Sequence, residues 1–208
     1  MMIQKTLVSA ALVLSAMGAQ ASTNLVNNGS FEANAQTVNH WTIYSNLTDW
    51  SGGAAGIELR NNVAGVAQEG VNFVELDTTN NSSMSQQITF ANAGSYVLSF
   101  WYAARPDNGT RNTNSDALGW ALGNSFSGAV LGNWALPGAT TWQHFTTTFT
   151  IGQAGTQTLA FNALGISDSY GGSIDNVSIT SAVPEPESYA LMLVGLGLMG
   201  TMVRRRSK

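Results

Sequence analysis

The sequence predicts an all-β protein, a single β-sandwich of the jelly-roll type with one hydrophobic helix at each end. No stretch between residues 22 and 182 keeps the 3.6-residue apolar period of a helix. Short runs of alternating apolar and polar residues occur instead, separated by Gly, Asn and Asp. Only 10% of the 208 residues are charged, against roughly 25% in an average soluble protein. Such a composition is typical of secreted β proteins.

The first 21 residues are predicted to be a secretory signal peptide. Lys5 supplies the positive start, residues 7–17 are apolar, and Ala19 and Ala21 flank Gln20 in a small-x-small cleavage pattern. We therefore expect a short helix that is removed after Ala21, and a mature protein that is exported.

Residues 22–182 are predicted to form the β-sandwich domain. In its clearest run, Tyr96, Leu98, Phe100 and Tyr102 fall on one side of a strand. Further strands are predicted at residues 41–44, 56–60, 73–76, 84–90, 142–151, 156–164 and 172–179. Many short strands with frequent turn signals favour a sandwich or jelly roll.

Residues 183–208 form a second terminal signal. It consists, in order, of the motif Pro184-Glu185-Pro186, an uncharged run over residues 188–203, and a basic end that contains Arg204, Arg205 and Arg206. The uncharged run is predicted to be a short transmembrane helix, and the positive charges beside it are expected to stay cytoplasmic.

This tail resembles the PEP-CTERM sorting signal of exported bacterial proteins. The resemblance implies the export machinery and an exosortase, a membrane transpeptidase, as partners. It also implies a transient inner-membrane tether and then release to the cell surface or extracellular matrix. The alternative is a permanent tail anchor over the same hydrophobic residues.

The two ends of the middle segment resemble galactose-binding-like jelly rolls, a superfamily that contains many carbohydrate-binding modules. The opening is NLVNNGSFE at residues 24–32, followed by Trp41, and the closing strand is GSIDNVSI at residues 172–179. The resemblance implies that the first and last strands lie side by side, with a structural Ca²⁺ where they meet. Glu32 and Asp175 match its acidic ligands. Alternatively, both acids cap turns or face water.

Tryptophans are the candidate sugar-binding residues, because sugars stack on exposed aromatic rings while polar groups bind their hydroxyls. The candidates are Trp101, Trp120 and Trp134, with Arg105, Asp116 and Asn124 as polar partners. Trp41 and Trp142 lie beside apolar strand residues and are interpreted as core.

Charge and residue types narrow the function. The middle segment holds three arginines against ten acidic residues, a net charge of −7, which argues against binding to nucleic acid. The absence of Cys excludes disulfides and Cys-based sites. A hydrolase would need paired carboxylates, and Glu58, Glu75 and Asp77 are the available set, but acids at this spacing are interpreted as a solvated strand edge.

These observations predict an exported, non-catalytic protein that associates with extracellular polysaccharide or biofilm matrix and binds glycans through its β-sandwich. One alternative is a structural or adhesive surface protein without a sugar site. A secreted hydrolase is the less favoured alternative.

Overall fold

The fold is taken from a computed structural model that describes residues 23–106, 115–123, 126–130 and 141–182. Every regular element in these ranges is a β-strand, which confirms the predicted all-β class. No helix within the same ranges is long and apolar enough to cross a membrane. The signal peptide, the sorting motif with the helix predicted at residues 188–203, Asn124 and Trp134 lie outside the described residues.

Twelve strands follow one another in the described part of the chain. Their bounds are β1 His40–Tyr44, β2 Asn46–Leu47, β3 Trp50–Gly52, β4 Ile57–Asn61, β5 Asn72–Glu75, β6 Ser83–Phe90, β7 Gly94–Ala103, β8 Leu118–Leu122, β9 Phe126–Val130, β10 Gln143–Ile151, β11 Gly155–Ala163 and β12 Ser173–Ser181. The eight predicted strands are all present, each within two residues at either end.

The strands pair into two antiparallel sheets of six strands each. The first sheet has the order β1-β4-β5-β12-β7-β10 and the second sheet the order β2-β3-β6-β11-β8-β9. The N-terminal segment runs beside β12, where Leu25 N donates to Ile179 O at 2.8 Å and Val177 N to Gly29 O at 2.9 Å. A Cβ atom at residue 29 would collide with the Val177 carbonyl oxygen, so this close approach requires glycine.

Four short strands, β2, β3, β8 and β9, were not expected from the sequence. β2 and β3 have two and three residues, too few to show an alternating pattern. β8 and β9 contain Gly119 and Gly128, and glycine weakens a strand signal. A Cβ atom at residue 128 would collide with the Trp120 ring, so Gly128 makes room for that side chain.

The core lies between the two sheets and uses the side of β7 that the sequence predicted. Tyr96, Leu98, Phe100 and Tyr102 are all buried. Phe100 contacts Phe161 of the second sheet edge to face, with ring centroids 5.2 Å apart. Burial of this apolar surface is the main force holding the sheets together.

The first sheet is also buried on much of its other side, which we call its outer side. Every residue of β4 and β5 is buried, whereas β6 of the second sheet alternates between buried and more exposed residues. The loop of residues 62–71, which joins β4 to β5 and is called the covering loop below, contacts Asp175 on this outer side. Strands covered on both faces lose the simple alternation of a half-buried sheet.

Candidate functional site

Three of the described tryptophans lie on the outer side of the first sheet, because of the strand register. Trp41 pairs with Arg60, and Trp101 pairs with both Asp175 and His144. Residues directly opposite each other in antiparallel strands project to the same side. We call this surface, defined by Trp41, Trp101, Trp142 and His144, the aromatic face.

Trp101 is held in place by its cross-strand neighbour. The Trp101 and His144 rings are stacked, with centroids 4.7 Å apart and planes at 19°. His144 Nε2 lies 2.7 Å from Ser99 Oγ, which fixes the orientation of the imidazole. Trp101 is half-buried and His144 is exposed, so the pair presents a rigid, partly accessible aromatic surface.

Trp142 joins the aromatic face to the covering loop. Its Nε1 donates a hydrogen bond to Val66 O at 3.0 Å. Its ring meets Phe73 edge to face, with centroids 5.9 Å apart. The interpretation of Trp142 as core is therefore only partly right: the ring is half-buried, but it packs on the outer side and not between the sheets.

Trp41 is the most exposed tryptophan of this face. The interpretation of Trp41 as core is wrong, because 53% of the residue is exposed. The edge strand β1 directs it away from the interior, opposite the buried Arg60. Four strand spacings separate β1 from β7, which puts Trp41 and Trp101 about 19 Å apart across the sheet.

A buried group of charges lies on the same side of the first sheet. Arg60 Nε donates to Glu58 Oε1 at 2.6 Å, and Arg60 Nη2 lies 2.5 Å from Glu75 Oε2. Arg105 Nη1 reaches the same Glu75 oxygen at 3.4 Å. Burial raises the pKa of Glu75 to about 8, and the positive charges of Arg60 and Arg105 limit the rise.

The acids considered for hydrolysis are used inside this structure. Glu75 and Asp77 are fully buried, so their interpretation as a solvated strand edge is wrong. Glu75 also accepts a hydrogen bond from Gly171 N at 2.8 Å. Asp77 Oδ2 accepts from Asp168 N and Tyr170 N at 3.0 and 3.2 Å. These contacts leave neither carboxylate open to a substrate.

Glu32 and Asp175 both bind the backbone at the end of the covering loop. Glu32 Oε1 accepts from Val71 N at 2.8 Å and Asn72 N at 2.7 Å. Asp175 Oδ2 accepts from Gln68 N at 2.8 Å and Glu69 N at 3.0 Å. Burial raises the pKa of Asp175 to about 7, and these backbone N–H groups oppose the rise.

The groups around the two acids are donors, whereas calcium needs oxygen ligands. Asp175 Oδ1 also accepts an N–H group, from Asn176 at 2.7 Å. The residues that the structure describes contain no group of three or more His, Asp or Glu side chains able to hold a metal ion. The described contacts are those of carboxylates that anchor a loop, and calcium at Glu32 and Asp175 stays a prediction.

The remaining sugar-binding candidates lie elsewhere. Trp120 packs on the core side, with its ring centroid 5.1 Å from that of Phe100, so it is separated from Trp101 by the first sheet. The guanidinium carbon of Arg105 lies 4.5 Å from the ring centroid of Tyr170. The backbone N–H of Arg105 donates to Asp116 Oδ1 at 3.0 Å. The structure therefore does not bring Trp101, Arg105 and Trp120 into one site.

Sequence reasoning missed His144 and the accessible Trp41 as members of one surface. The local signal was partial: Trp41 and Ile43 alternate with Thr42 and Tyr44 along β1. That pattern shows that Trp41 and Tyr44 project to opposite sides but does not say which side is covered.

Comparisons with known proteins agree with the sorting signal predicted for the tail and with the two-sheet fold. A protein-family model described as the PEP-CTERM protein-sorting motif matches residues 182–206. A search of curated proteins finds no match. Among solved structures, a CBM61 module in complex with β-1,4-galactotriose is 18% identical, with a TM-score of 0.52 over 77% of this chain and 99% of that one.

Two further solved structures are weaker matches. A family 16 carbohydrate-binding module is 15% identical, with a TM-score of 0.49 over 76% of this chain and all of that one. A CBM35 module from Cellvibrio japonicus is 18% identical, with a TM-score of 0.43 over 60% and 82%. The chain thus carries a PEP-CTERM sorting motif at residues 182–206, and its described domain has the two-sheet fold seen in carbohydrate-binding modules.

Proposed function

We propose that this protein is an exported, non-catalytic protein that binds an extracellular polysaccharide through the aromatic face. The observation that carries the proposal is the placement of Trp41, Trp101 and Trp142 on one side of one sheet. Sugar rings have apolar faces that stack on aromatic side chains, and the release of water from both surfaces drives the contact.

The spacing of the face suits a polymer. Trp41 and Trp101 are separated by about 19 Å, four strand spacings, which is longer than a single sugar ring. Hydroxyl and imidazole groups beside Trp101, on Ser99 and His144, are positioned to bind sugar hydroxyls. Arg60, Phe73 and Asp175, which lie between the two tryptophans, are buried, so a chain that contacts both rings would pass over the covering loop.

The sorting motif supports the cellular setting of this proposal. A PEP-CTERM motif implies export and handling by an exosortase, which would place the sandwich outside the inner membrane. This setting favours the exopolysaccharide of the producing cell as the class of ligand. The fold shared with a CBM61 module solved in complex with β-1,4-galactotriose is compatible with this ligand class but does not identify the sugar.

Affinity electrophoresis of the mature domain in gels containing single polysaccharides tests the proposal. We expect retardation of the wild type, and Trp101→Ala or Trp41→Ala to weaken binding about ten-fold or more, as is usual for a buried aromatic contact. Thr156→Ala on the outer side of the second sheet is the matched control and should bind as the wild type. In the wild type, the exposed Thr156 Oγ1 lies 3.1 Å from Thr89 Oγ1.

Two results would overturn the proposal. One is unchanged retardation in a Trp41→Ala, Trp101→Ala double variant that still unfolds cooperatively in urea. The other is an absence of retardation across a panel that includes the producer's own exopolysaccharide. The second result would favour a structural or adhesive surface protein without a sugar site.

A further inference from the structure

The second sheet has a cavity of its own at the edge formed by β2 and β3. Its volume is about 450 Å³, and it is lined by Asn46, Asp49, Ser51, Ser85 and Gln87, among others. Ser85 and Gln87 alternate along β6 with the buried Met84, Gln86 and Ile88. The cavity therefore opens on the outer side of the second sheet, away from the core.

A buried glutamine fixes the walls of this cavity. Gln86 is only 7% exposed, and its Nε2 donates to Asn27 O at 2.9 Å and to Asp49 O at 3.0 Å. Its Oε1 accepts from Asn27 N at 2.8 Å. Because the Gln86 amide hydrogen-bonds the backbone of both Asn27 and Asp49, it holds these two segments at a fixed distance from each other. Beneath them, Trp50 is 2% exposed, and its Nε1 donates to Asn28 O at 3.0 Å.

The cavity offers hydrogen-bonding groups that the fold does not use. Among the described residues, no hydrogen bond is made by the side chains of Asp49, Ser51 or Ser85. Asn46 uses its Oδ1 for Gly52 N at 3.1 Å, which leaves its NH₂ group available. Gln87 donates its Nε2 to Thr158 Oγ1 at 2.9 Å, which leaves its carbonyl oxygen available.

The charge of the cavity narrows the chemical class of ligand that it could bind. Among the described residues that line it, Asp49 is the one ionisable residue, and none is Lys or Arg. An anionic ligand would meet a carboxylate without a compensating positive charge. Amides, hydroxyls and one carboxylate instead supply the mixed donors and acceptors that sugar hydroxyls bind. Its volume falls in the range of small-ligand pockets.

We propose that this cavity is a second binding site, for one or two units of a neutral saccharide, with Asp49, Ser51 and Ser85 binding the sugar hydroxyls. The site lies on the second sheet and the aromatic face on the first. It therefore does not depend on the proposed function of the aromatic face. A protein with both sites would contact two sugar chains, or two parts of one chain, from opposite sides of the sandwich.

Nuclear magnetic resonance of the ¹⁵N-labelled mature domain tests the site, with cellotriose, β-1,4-galactotriose and mannotriose as probes. We expect at least one probe to shift the side-chain amide resonances of Asn46 and Gln87. Asp49→Asn should weaken that binding at least ten-fold. Asn tolerates the positive φ of 66° at this position, so the variant keeps the backbone and removes only the charge.

Two further variants separate this site from the aromatic face. Ser85→Leu fills the cavity and should abolish the shifts, whereas Thr156→Leu, on the same side of the same sheet outside the cavity, should leave them unchanged. A Trp41→Ala, Trp101→Ala double variant should also leave them unchanged. The proposal is overturned if none of the probes shifts Asn46 or Gln87 at millimolar concentration. Shifts that persist in full in Asp49→Asn and Ser85→Leu would also overturn it.

Discussion

The outer sides of the two sheets differ sharply, although both sheets contribute to the same core. The first sheet carries tryptophans, arginines and carboxylates on its outer side, and many of these are buried by the covering loop. The strands of the second sheet contain no charged residue, and most of the residues on their outer side are small. One row crosses it completely, through Asn46, Ser51, Ser85, Ala160, Ala121 and Ser127.

This difference shows that the core and the outer sides obey separate constraints. Inward positions of both sheets are apolar, because burial there stabilises the fold. On the first sheet, the covering loop creates a second buried layer, and charged groups within it need partners. On the second sheet, water can hydrogen-bond the outward polar groups, so these residues do not need partners within the protein.

Removing Arg60 should have the largest effect on stability. Arg60→Met leaves Glu58 buried without its positive partner and Glu75 with only the longer contact to Arg105, and breaking such a buried pair costs about 3–5 kcal/mol. Urea unfolding followed by tryptophan fluorescence measures the change. Arg105→Met is the control, since its side chain is 19% exposed and should cost clearly less. An equal loss in both variants would contradict the two-layer description of the first sheet.

Calcium, predicted from the sequence for Glu32 and Asp175, would strengthen the hold on the covering loop. At a concentration one hundred times its dissociation constant, the ion should raise the free energy of unfolding by about 2.7 kcal/mol. Thermal unfolding with calcium and with a chelator measures this, and Glu32→Gln should reduce the effect. Identical melting curves in the two conditions would mean that the backbone N–H groups alone anchor the loop.

The pH dependence of stability should also arise from the first sheet. Burial raises the pKa of Glu75 to about 8 and that of Asp175 to about 7, so the folded state binds more protons than the unfolded state above about pH 4. The contribution of these two groups to stability is then greatest at low pH and falls as the pH rises toward 8. Each group contributes at most about 1.4 kcal/mol per pH unit.

Urea unfolding between pH 5 and 8 measures this slope, and Glu75→Gln and Asp175→Asn should each flatten it. Both substitutions keep the size of the side chain and remove its titration. A wild-type stability that does not fall over this range would show that both carboxylates stay ionised, Glu75 beside Arg60 and Arg105 and Asp175 on its backbone N–H groups.

The sequence predicted the inward side of the fold well, because that information is local. Alternation along one strand was enough to assign Tyr96, Leu98, Phe100 and Tyr102 to the core. The same reasoning could not detect β2 or β3. These segments are strands because they pair with neighbouring strands, and they are too short to show an alternating pattern. Local pattern therefore gives strand faces, but not the pairing of short strands.

The outer side of the first sheet was not predictable, because it is assembled from distant residues. Trp41 and Trp101 share a face only through the register of five strands. The buried Glu75 pairs with Arg60 and Arg105, which are remote from it in sequence. The match of Glu32 and Asp175 identified two positions that do lie at one loop, although their described partners are backbone N–H groups.

A substitution on the outer side of the second sheet should have the smallest effect. Thr158→Ala removes the acceptor of an exposed hydrogen bond from Gln87 Nε2, and water can replace it. We expect a change within about 0.5 kcal/mol, as is usual for exposed sites. Urea unfolding beside Arg60→Met gives the comparison directly. A loss above about 2 kcal/mol would mean that the second sheet is also covered on its outer side, for example by a second copy of the chain.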